Sequence, residues 1–311
     1  MKVLKPKALR KGDTIGLIAP SSPVSKSRAQ ACIDWIKAAG YNVKWGQSLF
    51  ESVGYLSGSD ELRANDINSM FADNQVDAVF CIRGGYGTMR ILDKIDYELI
   101  RSNPKIFVGY SDITALHTAF LQKTGLITFH GPMVASFAKE GLDELSSHYF
   151  EKAIANPEPM GEINNPPEVP IKAYNKGSAS GKIVGGNLSL LADTMGTPYE
   201  IDTKGKILLI EEVGERPYNL DRMLLQLKLG GKFKDAVGII IGDFTDCEPE
   251  EGKDSLTIDE IIEDIVVPCG KPILCGYKIG HCTPNITIPI GVEAYMDCDN
   301  MRFCITEGAV V

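Results

Sequence analysis

Apolar and polar positions along the chain follow two periods that alternate through its first half. Thr14-Ile15-Gly16-Leu17-Ile18-Ala19, Ala78-Val79-Phe80-Cys81-Ile82 and Ile106-Phe107-Val108 are short, almost unbroken apolar runs, the pattern of strands buried on both faces. Tyr41-Asn42-Val43-Lys44-Trp45 reads as a further, more polar strand. Between these runs, Ala29, Cys32, Ile33 and Ile36 recur at helical spacing from about Lys26 to Ala39, where Gly40 supplies a stop; Leu62 to Phe71 gives a second helix. Strands that are apolar on both sides, with helices between them, predict a parallel sheet covered on both faces.

The texture changes where Pro157, Pro159, Pro166, Pro167 and Pro170 punctuate a polar stretch. This predicts an extended linker over 157–170, between an N-terminal α/β domain of residues 1–156 and a C-terminal domain of residues 171–311. The second half then offers a strand at Gly205-Lys206-Ile207-Leu208-Leu209-Ile210, a helix from about Leu220 to Leu229 and a strand over Ala236 to Gly242. It ends in short pieces such as Ile286-Thr287-Ile288-Pro289-Ile290-Gly291 and Met301-Arg302-Phe303-Cys304-Ile305. Such pieces predict a smaller, strand-rich domain with mixed pairing.

Composition narrows the function classes. The chain has 311 residues, enough for two domains, and a net charge of -9 with no strongly basic run, which argues against a nucleic-acid partner. No apolar stretch reaches the roughly 18 to 20 residues of a membrane helix, and the basic start Met1-Lys2-Val3-Leu4-Lys5 has no apolar signal core behind it. A soluble protein of the cytoplasm is expected. Eight cysteines are too dilute for a disulfide framework and form no C-x-x-C pair, so reduced thiols and no metal site are expected.

Candidate chemistry sits at the ends of the apolar runs. Val108-Gly109-Tyr110-Ser111-Asp112-Ile113-Thr114 places a serine on a turn between a strand and the helical spacing of Ala115 to Phe120. That is the posture of a hydrolase nucleophile, although Ile113 stands where G-x-S-x-G has its second glycine. The same turn is also compatible with Ser111 or Asp112 simply capping the helix. Arg83-Gly84-Gly85-Tyr86-Gly87-Thr88 follows the preceding strand and could bring backbone amides to an anion, but it matches neither a Walker motif nor G-x-G-x-x-G.

A serine hydroxyl needs a base within reach, and the base needs an acceptor to hold its tautomer. Of the four histidines, His117 falls on the helix after Ser111, His130 closes a buried run and His148 lies in a polar helix. His281 is set apart in the glycine- and proline-bounded loop Ile279-Gly280-His281-Cys282-Thr283-Pro284. Glu211 and Glu212 end the run Ile207-Leu208-Leu209-Ile210, and strand alternation lets only one of them face a given site.

Taken in order, Ile18-Ala19-Pro20-Ser21-Ser22-Pro23, Arg83-Gly84-Gly85-Tyr86-Gly87, Gly109-Tyr110-Ser111-Asp112, Gly185-Gly186-Asn187-Leu188, Glu211-Glu212 with Pro217-Tyr218 and Asp221-Arg222-Met223-Leu224, and Gly280-His281 with Pro289-Ile290-Gly291 span nearly the whole chain. This set resembles the LD-carboxypeptidase family of serine peptidases. The resemblance implies an α/β fold: a flavodoxin-like or class I glutamine-amidotransferase-like parallel-sheet domain followed by a smaller β-rich α+β domain, commonly as a homodimer. It implies a cytoplasmic hydrolase without cofactor or metal. Family members release terminal D-alanine from murein tetrapeptides in peptidoglycan recycling, and a divergent branch detoxifies peptide-nucleotide antibiotics of the microcin C type.

Carried over by motif, Ser111 resembles the nucleophile, Glu211 the triad acid and His281 the base. Backbone amides at Gly85 and Asp112 would form the oxyanion hole, and Arg83 and Arg222 are candidates to meet a substrate carboxylate. Asn187 reads as a loop-fixing side chain. With Ser111 on one domain and the other two residues on the second, domain orientation is expected to control activity. A non-enzymatic protein that binds a small ligand in the same loops is the alternative from a different class.

Overall fold

Burial of the apolar runs builds the first sheet of the computed structural model, which describes residues 2–138 and 141–311. Strands β1 (Thr14–Ile18), β2 (Asn42–Trp45), β3 (Ala78–Cys81), β4 (Ile106–Gly109) and β5 (Thr128–His130) pair in parallel in the order β2-β1-β3-β4-β5. This is the flavodoxin-like order, which places ligand sites beyond the carboxyl ends of the strands. Every residue of β3 and β4 is buried. Each large apolar side chain there contributes roughly 1.5–3 kcal/mol relative to exposure.

Helices α1 (Lys26–Ala38), α2 (Asp60–Ala72), α3 (Tyr97–Ser102), α4 (Thr114–Thr124), α5 (Val134–Phe137) and α6 (Glu144–Ala155) belong to the same unit. The predicted stripe of α1, Ala29, Cys32, Ile33 and Ile36, is buried, and the Ser25 side chain caps its first turn by accepting from Arg28 N. Under the sheet Phe71, Phe107 and Phe120 pack together, Phe107 and Phe120 with ring centroids 4.8 Å apart.

The second unit is organised around β6 (Gly161–Glu162), β7 (Lys172–Tyr174), β8 (Ser178–Asn187), β9 (Ile207–Val213), β10 (Gly238–Thr245) and β11 (Ile273–Cys275). After them β12 (Ile288–Ile290) returns to the first sheet, and β13 (Glu293–Asp297) and β14 (Arg302–Ile305) complete the second. The second sheet runs β6-β14-β13-β8-β9-β10-β11-β7; its centre, β8 to β11, is parallel and its flanks are antiparallel. The expected mixed pairing is therefore present. Helices α7 (Leu188–Asp193), α8 (Pro217–Leu229), α9 (Lys232–Asp235) and α10 (Ile258–Ile265) connect its strands, with α8 packed against α7, α9 and α10.

Two details differ from the sequence expectation. The stretch 157–170 is largely exposed but packs at several points: Met160 and Ile163 are buried, β6 pairs with β14, and Asn165 Nδ2 donates to Gly276 O at 2.7 Å. The unit boundary falls between Glu158 and Pro159. Second, Ile286–Gly291 and Gly308–Val311 belong to the first unit, not to a C-terminal domain running unbroken over 171–311. β12 adds antiparallel to β5 at the sheet edge, where Pro289 is tolerated because an edge strand need not donate on both sides. Its apolar pattern announced a buried strand but carried no signal of which sheet edge it would join. Among the described residues no helix is long and apolar enough to cross a membrane.

Candidate active site

β4 delivers Ser111 into a strained turn. Tyr110 is extended (φ -155°), and Ser111 follows with φ 65°, in the left-handed region that a side chain with a Cβ avoids. Such a backbone costs on the order of 1–3 kcal/mol and persists only when its surroundings over-determine it. Here they do. Gly109 O accepts from Gly131 N at 3.1 Å and from His117 Nε2 at 2.8 Å, and Ile113 N closes the turn onto Tyr110 O at 3.3 Å. Burial pushes His117 down to about 4, so it is a neutral imidazole whose proton sits on Nε2. His117 is thus a brace behind the strand end.

The Arg83–Thr88 loop lies against this turn. A Cβ at Gly84 would come within 3.0 Å of Ser111 Cβ and 3.1 Å of its Oγ, so the loop backbone touches the serine only because position 84 is glycine. Asp112 is buried, and its Oδ2 accepts from Ser21 Oγ at 2.6 Å and from Thr88 N at 2.9 Å, while its backbone carbonyl accepts from Thr88 Oγ1 at 2.6 Å. The capping role considered for Asp112 is not the one it plays, since neither the turn nor α4 has a side-chain cap. Its carboxylate ties three loops together instead, because a buried charge needs several donors and the ends of β1 and β3 supply them.

In the second unit the two neighbouring glutamates separate as strand alternation requires. Glu211, fully buried, accepts from His281 Nδ1 at 2.8 Å through Oε2. Gly280 precedes that histidine with φ 118°, and a Cβ there would collide with the same carboxylate oxygen. Burial raises the Glu211 carboxyl above the usual range; the hydrogen bond and charge of His281 oppose that rise. A proton on Nδ1 makes Nε2 the basic nitrogen, the arrangement in which a carboxylate prepares an imidazole to take a proton.

Glu212, also buried, turns the other way. It accepts from Asn187 Nδ2 (2.8 Å), Ser189 N (2.7 Å), Ser189 Oγ (2.6 Å) and Val213 N (2.8 Å). Asn187 also caps α7, which fits the loop-fixing reading of that residue. Arg83 is exposed beside Gly85 and donates to Pro23 O at 3.3 Å. Arg222 is exposed on α8 with its guanidinium on Asn219 Oδ1 at 2.7 Å. His130 is buried in β5, His148 is exposed on α6 against Tyr149, and all eight cysteines are free thiols.

The fold class is α/β, with a parallel-sheet unit that carries a strained serine turn and a mixed-sheet unit that carries a carboxylate–imidazole pair. The chain belongs to the LD-carboxypeptidase family: the model of the family's N-terminal domain matches residues 15–131 and that of its C-terminal domain residues 180–296. It is an enzyme of the LD-carboxypeptidase type. A Bacillus subtilis protein named "Probable murein peptide carboxypeptidase" is 48% identical over 306 residues, covering 98% of this chain and 95% of its own. The microcin C7 self-immunity protein MccF of Escherichia coli is 28% identical over 332 residues, covering 95% and 94%; a structure of MccF with glutamyl sulfamoyl guanosine superposes with a TM-score of 0.91 at 26% identity, over 99% and 100% of the chains. The crystal structure of muramoyltetrapeptide carboxypeptidase from Oxalobacter formigenes gives a TM-score of 0.83 at 28% identity, over 96% and 99%.

Proposed function

We propose that this enzyme is a serine carboxypeptidase that hydrolyses the L,D-amide bond of a murein tetrapeptide and releases terminal D-alanine. Ser111 Oγ attacks the carbonyl carbon as His281 takes its proton, and the C–N bond then breaks with that proton passing to the leaving amine. Water, deprotonated by the same imidazole, attacks the acyl carbon; the ester C–O bond breaks and the proton returns to Ser111 Oγ, freeing the shortened peptide's carboxylate. Glu211 remains ionised and holds the tautomer. The amides of Gly85 and Asp112 receive the oxyanion, each worth about 3 kcal/mol by analogy with other oxyanion holes. Arg83, beside Gly85, is the arginine offered to the substrate carboxylate.

The observation that carries this reading is the left-handed backbone of Ser111 at the end of β4, the geometry by which a strand-to-helix turn offers a serine hydroxyl. Substrate choice follows the relatives: identity is 48% to the murein peptide carboxypeptidase and 28% to MccF. The close superposition on MccF supports a second reading, cleavage of a peptide-nucleotide antibiotic of the microcin C type. Purified enzyme offered both compounds separates them: turnover of the tetrapeptide supports the first, and turnover of the nucleotide-linked compound with none of the tetrapeptide overturns it. Ser111→Ala is expected to abolish turnover while preserving the fold, and an undiminished rate would return the protein to the class of non-catalytic binders. The reading extends to a cytoplasmic homodimer in peptidoglycan recycling, to be checked by cell fractionation and sedimentation.

A further inference from the structure

The chemistry above leaves several buried charges without a task, among them Arg63, Asp66, Lys105 and Lys232, and of these Arg63 lies nearest the Ser111 turn's loops. Arg63, on α2, is fully buried on a helix face that it shares with Ile67, Met70 and Phe71 and with one other buried charge, Asp66, which accepts from Gln47 N and Ser48 N. Taking a guanidinium out of water is costly unless its donors are met. Nη1 donates to Pro20 O at 2.5 Å and to Gly87 O at 2.9 Å, and Nη2 pairs with Asp60, which Arg90 also holds. Nε has no hydrogen-bond partner among the described residues. A buried cation that leaves one donor unmet is a poor device for stability.

Its partners point to a different purpose. Arg63 bridges Pro20 to Gly87, and Asp112 bridges Ser21 to Thr88. Two buried charges therefore span the same two loops at consecutive residues, one from α2 and the other from the position after Ser111. Between these ties Tyr86 N donates to Ser22 Oγ at 3.2 Å and Ser22 N to Gly84 O at 3.4 Å, which leaves Gly85 in the middle of a stretch held on both sides. A Cβ at Gly87 would fall 2.7 Å from Arg63 Nη1, so glycine is what lets that carbonyl meet the guanidinium.

We propose that Arg63 is a positioning residue which, in register with Asp112, sets the Arg83–Thr88 loop and hence the Gly85 amide against Ser111. The inference rests on the reading of Ser111 as nucleophile and Gly85 as oxyanion donor. Lysine at position 63 keeps the charge but not the planar fork that spans two carbonyls, and methionine keeps bulk without charge.

The test compares Arg63→Lys and Arg63→Met with wild type for kcat, KM, affinity for a peptide boronate that forms a tetrahedral adduct on serine, and affinity for the tripeptide product. Loss of one oxyanion donor, or its displacement by about 1 Å, costs about a hundredfold, so kcat and boronate affinity should both fall by that factor while KM and product affinity stay within a few-fold. Circular dichroism and a urea midpoint verify folding; if Arg63→Met does not fold, Arg63→Lys carries the test. A kcat within threefold of wild type in either folded variant overturns the inference, as does an equal loss of boronate and product binding. Ser111→Ala, assayed in parallel, fails separately: turnover by that variant removes the nucleophile reading whatever happens at Arg63.

Discussion

The two halves of the candidate machinery bear different costs. Around Ser111 the penalty is in the backbone: one residue is forced to φ 65°, and the buried carboxylate next to it, Asp112, is well supplied with donors. Around Glu211 no positive φ is needed in β9, although its pairing with β10 shifts register there, and the penalty is electrostatic, a carboxylate sealed from water with His281 as its charge partner. Strain can be stored locally in one dihedral, whereas desolvation involves the whole surrounding shell. Removing the functional group should therefore relieve a different quantity in each place.

Glutamine at position 211 is the most severe way to sharpen this contrast. Its amide can present the wrong group to His281 Nδ1 and favour the wrong tautomer, which in a serine-protease triad costs about 10⁴ in kcat. Stability should move the other way. A carboxyl whose folded pKa is raised holds its proton longer in the native state, so wild type loses stability as pH rises from the ordinary carboxylate range through the raised value. Glu211→Gln lacks that loss, and urea midpoints for both proteins between pH 4 and 8 should converge at the acid end. A variant less stable than wild type at pH 8 would break the comparison.

Glu212, one residue on, gives the opposite expectation. Its two oxygens accept four hydrogen bonds, and a glutamine would turn an NH₂ toward donors on one side. Glu212→Gln should cost about 3 kcal/mol or more of stability, with kcat of the folded fraction changed far less than by Glu211→Gln. Equal kcat losses in the two variants would erase the division between working and structural carboxylate.

Much of this division was legible before any coordinates. The strand runs, the α1 stripe, the Ser111 turn and the isolated loop of His281 all follow from period and punctuation, and strand alternation guaranteed that Glu211 and Glu212 would face apart. What stayed hidden was long-range. Nothing in Ile286–Gly291 tells that it completes the first sheet, and Asp112 looked like a cap because its true partners, Ser21 and Thr88, are 91 and 24 residues away. Arg63 did leave a trace. It stands on a mostly apolar helix face, a position where a charge needs an explanation, but its carbonyl partners lie in loops whose approach no local pattern encodes.

His117 tests the brace behind the elbow at a smaller scale. Its folded pKa is depressed to about 4 from 6.5, so the stabilisation is complete above the unfolded value and is lost as pH falls toward 4. A depression of this size contributes stability on the order of a few kcal/mol. Glutamine at this position can still donate to Gly109 O but does not titrate. His117→Gln should therefore flatten the stability profile between pH 6.5 and 4, measured by urea denaturation; the same slope in both proteins would assign the acid loss to other groups.

The smallest expected effect isolates the strain itself. Ser111→Ala and Ser111→Gly both delete the hydroxyl, so on the proposed reading both should be inactive, and the comparison is one of stability alone. Alanine keeps a Cβ at φ 65°, while glycine adopts that region freely but brings a more flexible unfolded chain. The left-handed penalty of about 1–2 kcal/mol exceeds the usual glycine entropy cost of about 0.5–1 kcal/mol, so Ser111→Gly should be the more stable of the pair by up to about 1 kcal/mol. Urea midpoints with equal slopes would measure it. If the alanine variant proves the more stable, the turn is held without stored strain, and the two halves of the machinery differ only in where their hydrogen bonds come from.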